Sequence, residues 1–307
     1  MGVSNNDLQN IFVDTFNELL NRFKKVDNED TSDNIKRCKY FKLADQKKAF
    51  DLTDSNESIS MIHMNIVSLS LNFDKVKTLL YALDNQPSII AISESRIHKN
   101  NRDAVDIDLP DYAFLYDPSP VNGTAGGAAL YVKKSLSPKL RDDLRISNVE
   151  CENVWIELSF RNKPVVFSVV YRHPRKKSHQ RLDFQKQLKN NLETLEDKNI
   201  RYYIAGDFNF NLLRYCSNND VKFYVDDIHG VGCQFLIDKP TRIRNGKCSI
   251  VDHILTNDMQ NSLTPGILLA DVSDHLPTFL VLKNVGPEAP TFPRMVRDYS
   301  NFKQSHF

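Results

Sequence analysis

Paired cysteines, a dominant charge sign, long apolar runs and a hydrophobic leader are all missing from this chain, and each gap removes a class of protein. The five cysteines (Cys38, Cys151, Cys216, Cys233 and Cys248) are odd in number and never spaced as CxxC. That argues against a disulfide framework or a zinc cage and for a reducing compartment. Forty Lys and Arg against thirty-nine Asp and Glu leave a formal charge of +1, which excludes a strongly basic nucleic-acid wrap. Any contact with nucleic acid must come from a local patch. The apolar runs, such as 165–167 and 89–92, are far too short to span a bilayer. The N-terminus has no hydrophobic signal region, so the expectation is a soluble intracellular chain with no membrane partner. What remains is an ordinary globular balance, 41 % hydrophobic and 26 % charged over 307 residues, enough for a sizeable core without staples.

Composition divides the chain into 1–57, 58–283 and 284–307. Leu8, Ile11, Phe12, Phe16, Leu19, Leu20 and Phe23 recur at helical spacing behind Asn6 or Asp7, predicting an amphipathic N-terminal helix that docks on the main domain or a partner. An acidic stretch at 27–33 and a basic one at 36–48 read as a solvated linker. From Ser58 short apolar runs alternate with turn residues. Strands are predicted at 59–64, 89–93, 127–132, 154–160, 165–171, 202–205, 251–255 and 278–282, and helices at 73–83 and 182–195. The excess of strands, several close enough for hairpins, predicts two mixed β-sheets packed face to face with helices outside, not a doubly wound parallel sheet. Pro287, Pro290 and Pro293 forbid regular structure in the last region, which reads as a linker towards a further domain.

Residues suited to metal and phosphate chemistry recur at the ends of these strands: Asn65, Glu94, Tyr171, Gly206-Asp207-Phe208-Asn209, Asp252 and Ser273-Asp274-His275. One such residue is usually a turn former, but the set together predicts convergence on one edge of a sandwich. Glu94 with the amide oxygen of Asn65 suits a hard cation such as magnesium, which neutralises phosphate charge and stabilises a departing oxygen. Asp207 is placed to align or deprotonate water, and Asn209 to donate to a phosphate oxygen. His275 oriented by Asp252 offers a positive donor, and Tyr171 a further one. His253 adjoins Asp252 in a strand and therefore points to the opposite face, so it reads as structural. Gly126-Gly127 lacks the Lys-Ser/Thr of a phosphate-cradling loop and reads as a turn into a strand. The combination describes metal-dependent hydrolysis of a phosphate ester.

The order of these residues resembles the endonuclease/exonuclease/phosphatase superfamily. The finer texture resembles the apurinic-type endonuclease domain of non-LTR (LINE-like) retrotransposons: His63-Met64-Asn65-Ile66, Ile92-Ser93-Glu94-Ser95-Arg96, Gly126 to Val132, Lys239-Pro240-Thr241-Arg242, and Val251 to Asn257. The resemblance covers residues 58–282. It implies a four-layer α/β sandwich, dependence on Mg2+ (with Mn2+ as a substitute), and nicking of DNA to leave a 3′-hydroxyl that primes reverse transcription. It further implies Asn65, Glu94 and Asp274 at the metal, Asp207 and Asn209 at the nucleophile and phosphate, Asp252 with His275 as a pair, the family tyrosine at Tyr171, and phosphate contacts from Thr241 and Ser273. Many apurinic endonucleases carry an acidic residue two positions after the first asparagine; Val67 stands there in this chain, a departure shared by retrotransposon domains.

The basic stretch Arg172, Arg175, Lys176, Lys177 and Arg181 follows Tyr171 directly and is expected to contact the DNA backbone. Partners implied are DNA and a downstream reverse transcriptase domain, and nuclear residence follows from that substrate alone. Two alternatives stay open: the same fold acting on a small or lipid phosphoester, and a degenerate, non-catalytic DNA-binding copy.

Overall fold

In the computed structural model the described residues are 38–43, 58–83, 85–100, 105–120, 125–174, 178–244, 246–259 and 262–283. The expected N-terminal helix, residues 175–177 of the basic stretch and the Pro-rich region 284–307 lie outside them.

In chain order the strands are β1 (Lys39–Lys42), β2 (Ile59–Asn65), β3 (Ile89–Ser93), β4 (Tyr112–Asp117), β5 (Ala128–Lys133), β6 (Lys139–Leu140), β7 (Cys151–Phe160) and β8 (Lys163–Arg172). There follow β9 (Arg201–Asp207), β10 (Gln234–Phe235), β11 (Arg242–Arg244), β12 (Lys247–Ser249), β13 (Asp252–Thr256), β14 (Ser262–Leu269) and β15 (Thr278–Lys283). The α-helices are α1 (Leu69–Ala82), α2 (Ser178–Asp197) and α3 (Asn219–Gly230). A seven-stranded sheet runs β1-β14-β15-β2-β3-β5-β4, a six-stranded sheet runs β10-β13-β9-β8-β7-β6, and β11 pairs with β12 as a separate hairpin. Both large sheets are mixed: β1 with β14, β2 with β3, and β8 with β9 are parallel, whereas the other pairs are antiparallel.

Period-two alternation sorts the side chains into layers. Met61, Ala91 and Leu130 of the first sheet meet Ile156, Phe167, Tyr203 and Ile254 of the second in one buried core. The intervening residues Ile62, Met64 and Tyr131 face outward against Leu69, Phe73, Val76 and Leu80 of α1. Val166, Val170, Tyr202 and Ile204 do the same against Phe184, Leu188 and Leu192 of α2 and Tyr224 of α3. The result is the expected four-layer arrangement of two packed mixed sheets between helices.

The short strands β4, β6, β10, β11 and β12 were not expected, and β1, β14, α1 and α3 differ from the sequence reading in ways that have a physical reason. Part of the basic stretch expected to be linker is strand β1, which extends the first sheet by pairing with β14 from Gly266 to Leu269. Pro265 argues against a strand there, yet β1 pairs only from Gly266 onward, so β14 is an edge at the proline. Helix α1 begins four residues before the expected start, because Ser68, at a φ of 107°, turns the chain out of β2. Helix α3 was not anticipated, although the Asn218 side chain caps it by accepting from the backbone N–H groups of Asp220 and Val221.

Strand register decides where the chemistry collects. Asn65 ends β2 opposite Ser93, the last residue of β3. Tyr171 in β8 stands opposite Asp207 at the end of β9, which in turn pairs with Asp252 at the start of β13. The carboxyl ends of β2, β3, β8 and β9 thus meet the amino ends of β13 and β15 at one mouth of the inter-sheet layer.

Candidate active site

His63, Asn65, Tyr171, Asp207 and Asp252 lie on the same alternation as the core residues Met61, Val169, Ala205 and Ile254, so all face inward on the last rungs of their strands. The Asn65 amide bridges two carboxylates: its Nδ2 donates to Asp207 Oδ2 at 2.9 Å and to Glu94 Oε1 at 3.2 Å. Its Oδ1 accepts from the Val67 N–H at 3.3 Å. Here Asn65, expected to offer its amide oxygen to a metal, turns its N–H to the site and positions Glu94 and Asp207.

Glu94 sits just past β3 in the left-handed region, with a φ of 51°, and Arg96 does the same at 53°. Such residues carry a local cost of about 1–2 kcal/mol each and need support. Gly126 and Gly127 supply it: the Gly127 carbonyl accepts from Ser95 N–H at 3.0 Å and the Gly126 carbonyl from Arg96 N–H at 2.9 Å. A Cβ on Gly127, at a φ of 87°, would collide with the hydroxyls of Ser95 and Ser119. The glycine pair is therefore a turn that braces the Glu94 loop. Arg96 Nη2 lies 3.4 Å from Glu94 Oε2, and the Glu94 side chain is 17 % exposed, open to the mouth.

Asp207 is buried, and its carboxyl is pushed up to about 7 by burial and then by the charge of Asp252, against the opposing pull of His275 and Asn65. Its Oδ1 accepts from the Asn209 N–H at 3.0 Å. One amide hydrogen of Asn209 goes to the Arg172 carbonyl at 2.7 Å, leaving the other for a ligand. His275 Nδ1 donates to Asp252, 2.8 Å from Oδ2 and 3.0 Å from Oδ1. Burial would lower the imidazole, but the charge and hydrogen bond of Asp252 hold it up at about 9. Burial would likewise raise Asp252, but the His275 cation and its hydrogen bond bring it below the usual carboxylate value. Tyr171 is buried, its phenol driven far above the ordinary range by burial and by the charges of Glu94 and Asp207. It stays neutral and bonds Glu94.

Four expected contacts take different roles. Arg172 is 2 % exposed: its Nε donates to the Phe208 carbonyl at 2.6 Å, its Nη2 to the Asn209 carbonyl at 3.0 Å, and its guanidinium lies 3.9 Å over the Phe210 ring. It braces the Asp207–Asn209 loop and cannot reach the DNA backbone, because alternation turns it to the face opposite Tyr171. Thr241, expected at the phosphate, is fully buried and donates to Asp252 Oδ2 at 2.6 Å, so its hydroxyl is committed to positioning the Asp252–His275 pair. Ser273 donates to the Asn65 carbonyl at 2.5 Å and accepts from His275 N–H at 3.1 Å, tying two site segments together. Asp274, expected at the metal, is engaged by Arg242, whose Nε and Nη2 reach its Oδ2 at 3.0 and 2.7 Å.

His253 is structural, as alternation predicted. It is buried on the helix side, stacked on Phe208 with centroids 5.2 Å apart and bonded to the Tyr224 hydroxyl at 3.1 Å; burial takes it down to about 4. Two residues escaped the sequence reading. His63 lies behind Asp252, its Nδ1 4.0 Å from Oδ1 and its Nε2 2.9 Å from the Ser93 hydroxyl. Arg242 stands at the end of the Lys239-Pro240-Thr241-Arg242 segment, where nothing in the local sequence marks it as a site residue.

The donor set fits a hard cation. Ligating atoms of Asp207, Asp252 and His275 lie within 4.8 Å of one another. His275 commits Nδ1 to Asp252, which leaves the oxygens of Glu94 and Asp207 as the freer donors. The part-exposed Glu94 oxygens suit an ion that keeps several waters.

The sequence matches the Endonuclease/Exonuclease/phosphatase family over residues 65–275. A search of curated proteins returned no match. Among solved structures, the Xenopus laevis APE2 catalytic domain superposes with a TM-score of 0.59 at 16 % identity, covering 76 % of this chain and 94 % of that one. The endonuclease domain of TRAS1, a telomere-specific non-LTR retrotransposon, gives 0.54 at 15 % identity, covering 74 % and 99 %. The Neisseria 3′ phosphatase NExo, bound to a product DNA hairpin, gives 0.51 at 12 % identity, covering 72 % and 98 %. The family match runs from Asn65 to His275 and so takes in the full set of site residues, and on it the chain belongs to the endonuclease/exonuclease/phosphatase family, whose members are typically phosphodiesterases and nucleases.

Proposed function

We propose that this chain is a divalent-metal-dependent endonuclease of the non-LTR retrotransposon type, hydrolysing DNA phosphodiesters so as to nick one strand and leave a 3′-hydroxyl for reverse transcription. The observation that carries the reading is the buried Asp252–His275 pair, with Nδ1 2.8 Å from Oδ2, joined through Asp207 and Asn65 to the part-exposed Glu94. DNA is favoured over a small phosphoester by the basic residues Arg175, Lys176 and Lys177 and by the motif texture, which resembles that of retrotransposon domains. A downstream reverse transcriptase would consume the 3′-hydroxyl, and the nucleus is where the substrate lies.

Each residue has a defined task. His275, held at about 9, is a cation at neutral pH, and its Nε2–H faces the mouth as a donor to the oxygen that gains charge on the phosphoryl group. Asp207, at about 7, divides between its two protonation states near neutrality, which suits a group that takes a proton from water. Asn209 offers its second amide hydrogen to a phosphate oxygen. Tyr171 and Asn65 fix Glu94 from two sides. Glu94 would hold a magnesium or manganese ion, which when bound neutralises phosphate charge and stabilises the departing oxygen.

Supercoiled plasmid incubated with the purified chain and magnesium tests the reading. Nicking that disappears with EDTA, with Glu94→Ala and with His275→Ala is the expected result. A folded wild-type chain that leaves the plasmid intact would overturn DNA endonuclease activity.

A further inference from the structure

We infer that Arg242 is a substrate-binding residue of this centre, donating to a non-bridging oxygen of the phosphodiester beside His275. The inference rests on the phosphodiesterase reading and deepens it. Arg242 opens β11, and its position is set by the machinery itself. Thr241, the residue before it, is locked onto Asp252, the Thr241 carbonyl accepts from Leu276 N–H at 2.7 Å, and the Arg242 backbone forms a β-bridge with His275. The root of the side chain is thus fixed against both partners of the dyad.

The guanidinium is spent unevenly. Nε and Nη2 converge on one oxygen of Asp274, Oδ2, at 3.0 and 2.7 Å, and among the described residues nothing bonds Nη1. The other Asp274 oxygen, Oδ1, lies 3.9 Å from His275 Nε2, the ring nitrogen that Asp252 does not use. One carboxylate therefore spans the guanidinium and the imidazolium, at a mouth where the Arg242 side chain is 25 % and that of Asp274 35 % exposed. An anion is already welcome between these two cations, and a phosphodiester oxygen carries the same charge and accepts the same donors. Arg242 also lies within electrostatic reach of Asp207, Asp252 and His275. A planar guanidinium can keep Asp274 on one edge and take a phosphate oxygen on the other, a division that a lysine ammonium cannot reproduce. An ion pair with no further role would be worth little at this exposure.

The test compares wild type, Arg242→Ala and Arg242→Lys. Duplex DNA binding is followed by fluorescence anisotropy in EDTA over a potassium chloride series, single-turnover nicking is followed with magnesium, and thermal unfolding is recorded in parallel. Arg242→Ala is expected to melt with wild type, to lower the salt slope by about one phosphate contact and to slow nicking about a hundredfold. Arg242→Lys is expected to restore the slope but not the rate. A wild-type slope and rate in Arg242→Ala would overturn the inference, as would full rescue of both by lysine. If wild type neither binds nor nicks DNA, the substrate reading fails separately. Arg242 is then judged by inorganic phosphate binding, read from the His275 imidazole resonances, where equal affinity in wild type and Arg242→Ala would overturn it.

Discussion

Replacing Asp252 with Asn removes the charge that sets the protonation of both neighbours while keeping a side chain of the same shape, so it separates electrostatics from geometry. In the native site Asp252 lifts His275 from 6.5 to about 9 against burial, the largest single influence and one that acts downward. That lift corresponds to roughly 3 kcal/mol of preference for the imidazolium. With the charge gone, burial outweighs the smaller upward pull of Asp207, and His275 is expected to fall back to about 6.5 or below. At about pH 8 the cationic fraction then drops roughly thirtyfold, from nearly complete to a few per cent. The Asp252 charge is also the second cause of the raised Asp207, so that carboxyl moves down from about 7 as well. Both limbs of the pH–rate profile should therefore shift to acid: the rising limb because Asp207 loses its proton earlier, the falling limb because His275 loses its own earlier. Single-turnover plasmid nicking from acidic to alkaline pH reads this directly, with the variant recovering activity on acidification. A variant slowed equally at every pH, its falling limb still near 9, would refute the charge argument and leave Asp252 as a mere tether.

Thr241→Val deletes the 2.6 Å donation to Asp252 inside a fully buried site, and is expected to cost about 1–3 kcal/mol in urea unfolding and to lower the His275 pKa seen by NMR. Gly127→Ala forces a Cβ onto a backbone at a φ of 87° and into the Ser95 and Ser119 hydroxyls; a loss of about 2 kcal/mol or more is expected, together with slower nicking as the Glu94 loop moves. Neutralising Lys176 and Lys177 together should weaken DNA binding and flatten its salt dependence, and an unchanged slope would take this stretch out of the interface.

The inward-facing strand ends were legible because alternation is a local property. Ile254 and Asp252 share a parity, His253 has the other, and the two faces of β13 follow without knowledge of any partner. The same rule, applied to β8, would have turned Arg172 away from Tyr171. Adjacency in sequence to basic neighbours suggested a DNA contact, but strand parity decided the outcome. Other features needed long-range information. Strand β14 carries Pro265 and Gly266, which signal a turn locally, and it is a strand because Gly266 leaves room for the rings of Phe279 and Phe41. The ion pair between Arg242 and Asp274 joins positions from the β11 hairpin and the loop before β15, and no spacing in the chain announces it.

Histidine shows most clearly why residue type and burial were insufficient to assign the site. His63, His253 and His275 are all buried, 1 %, 0 % and 2 % exposed, yet the first two are pushed down to about 4 and the third up to about 9. The difference is the distance to one carboxylate. His275 bonds Asp252 at 2.8 Å; His63 stands 4.0 Å away, at which the attraction of Asp252 does not overcome burial; His253, on the far face of β13, is held by Tyr224 and the Ile250 carbonyl. Only a histidine that gains a hydrogen-bonded carboxylate keeps its proton in a dry interior. The Asp252 carboxylate can serve one imidazole in this way because Thr241 and His275 occupy its Oδ2 together, fixing the plane of the group towards the mouth. A shift of β13 by one residue along β9 would exchange the inward positions of Asp252 and His253 and leave His275 neutral, so the register between these two strands determines both the core packing and the charge on His275.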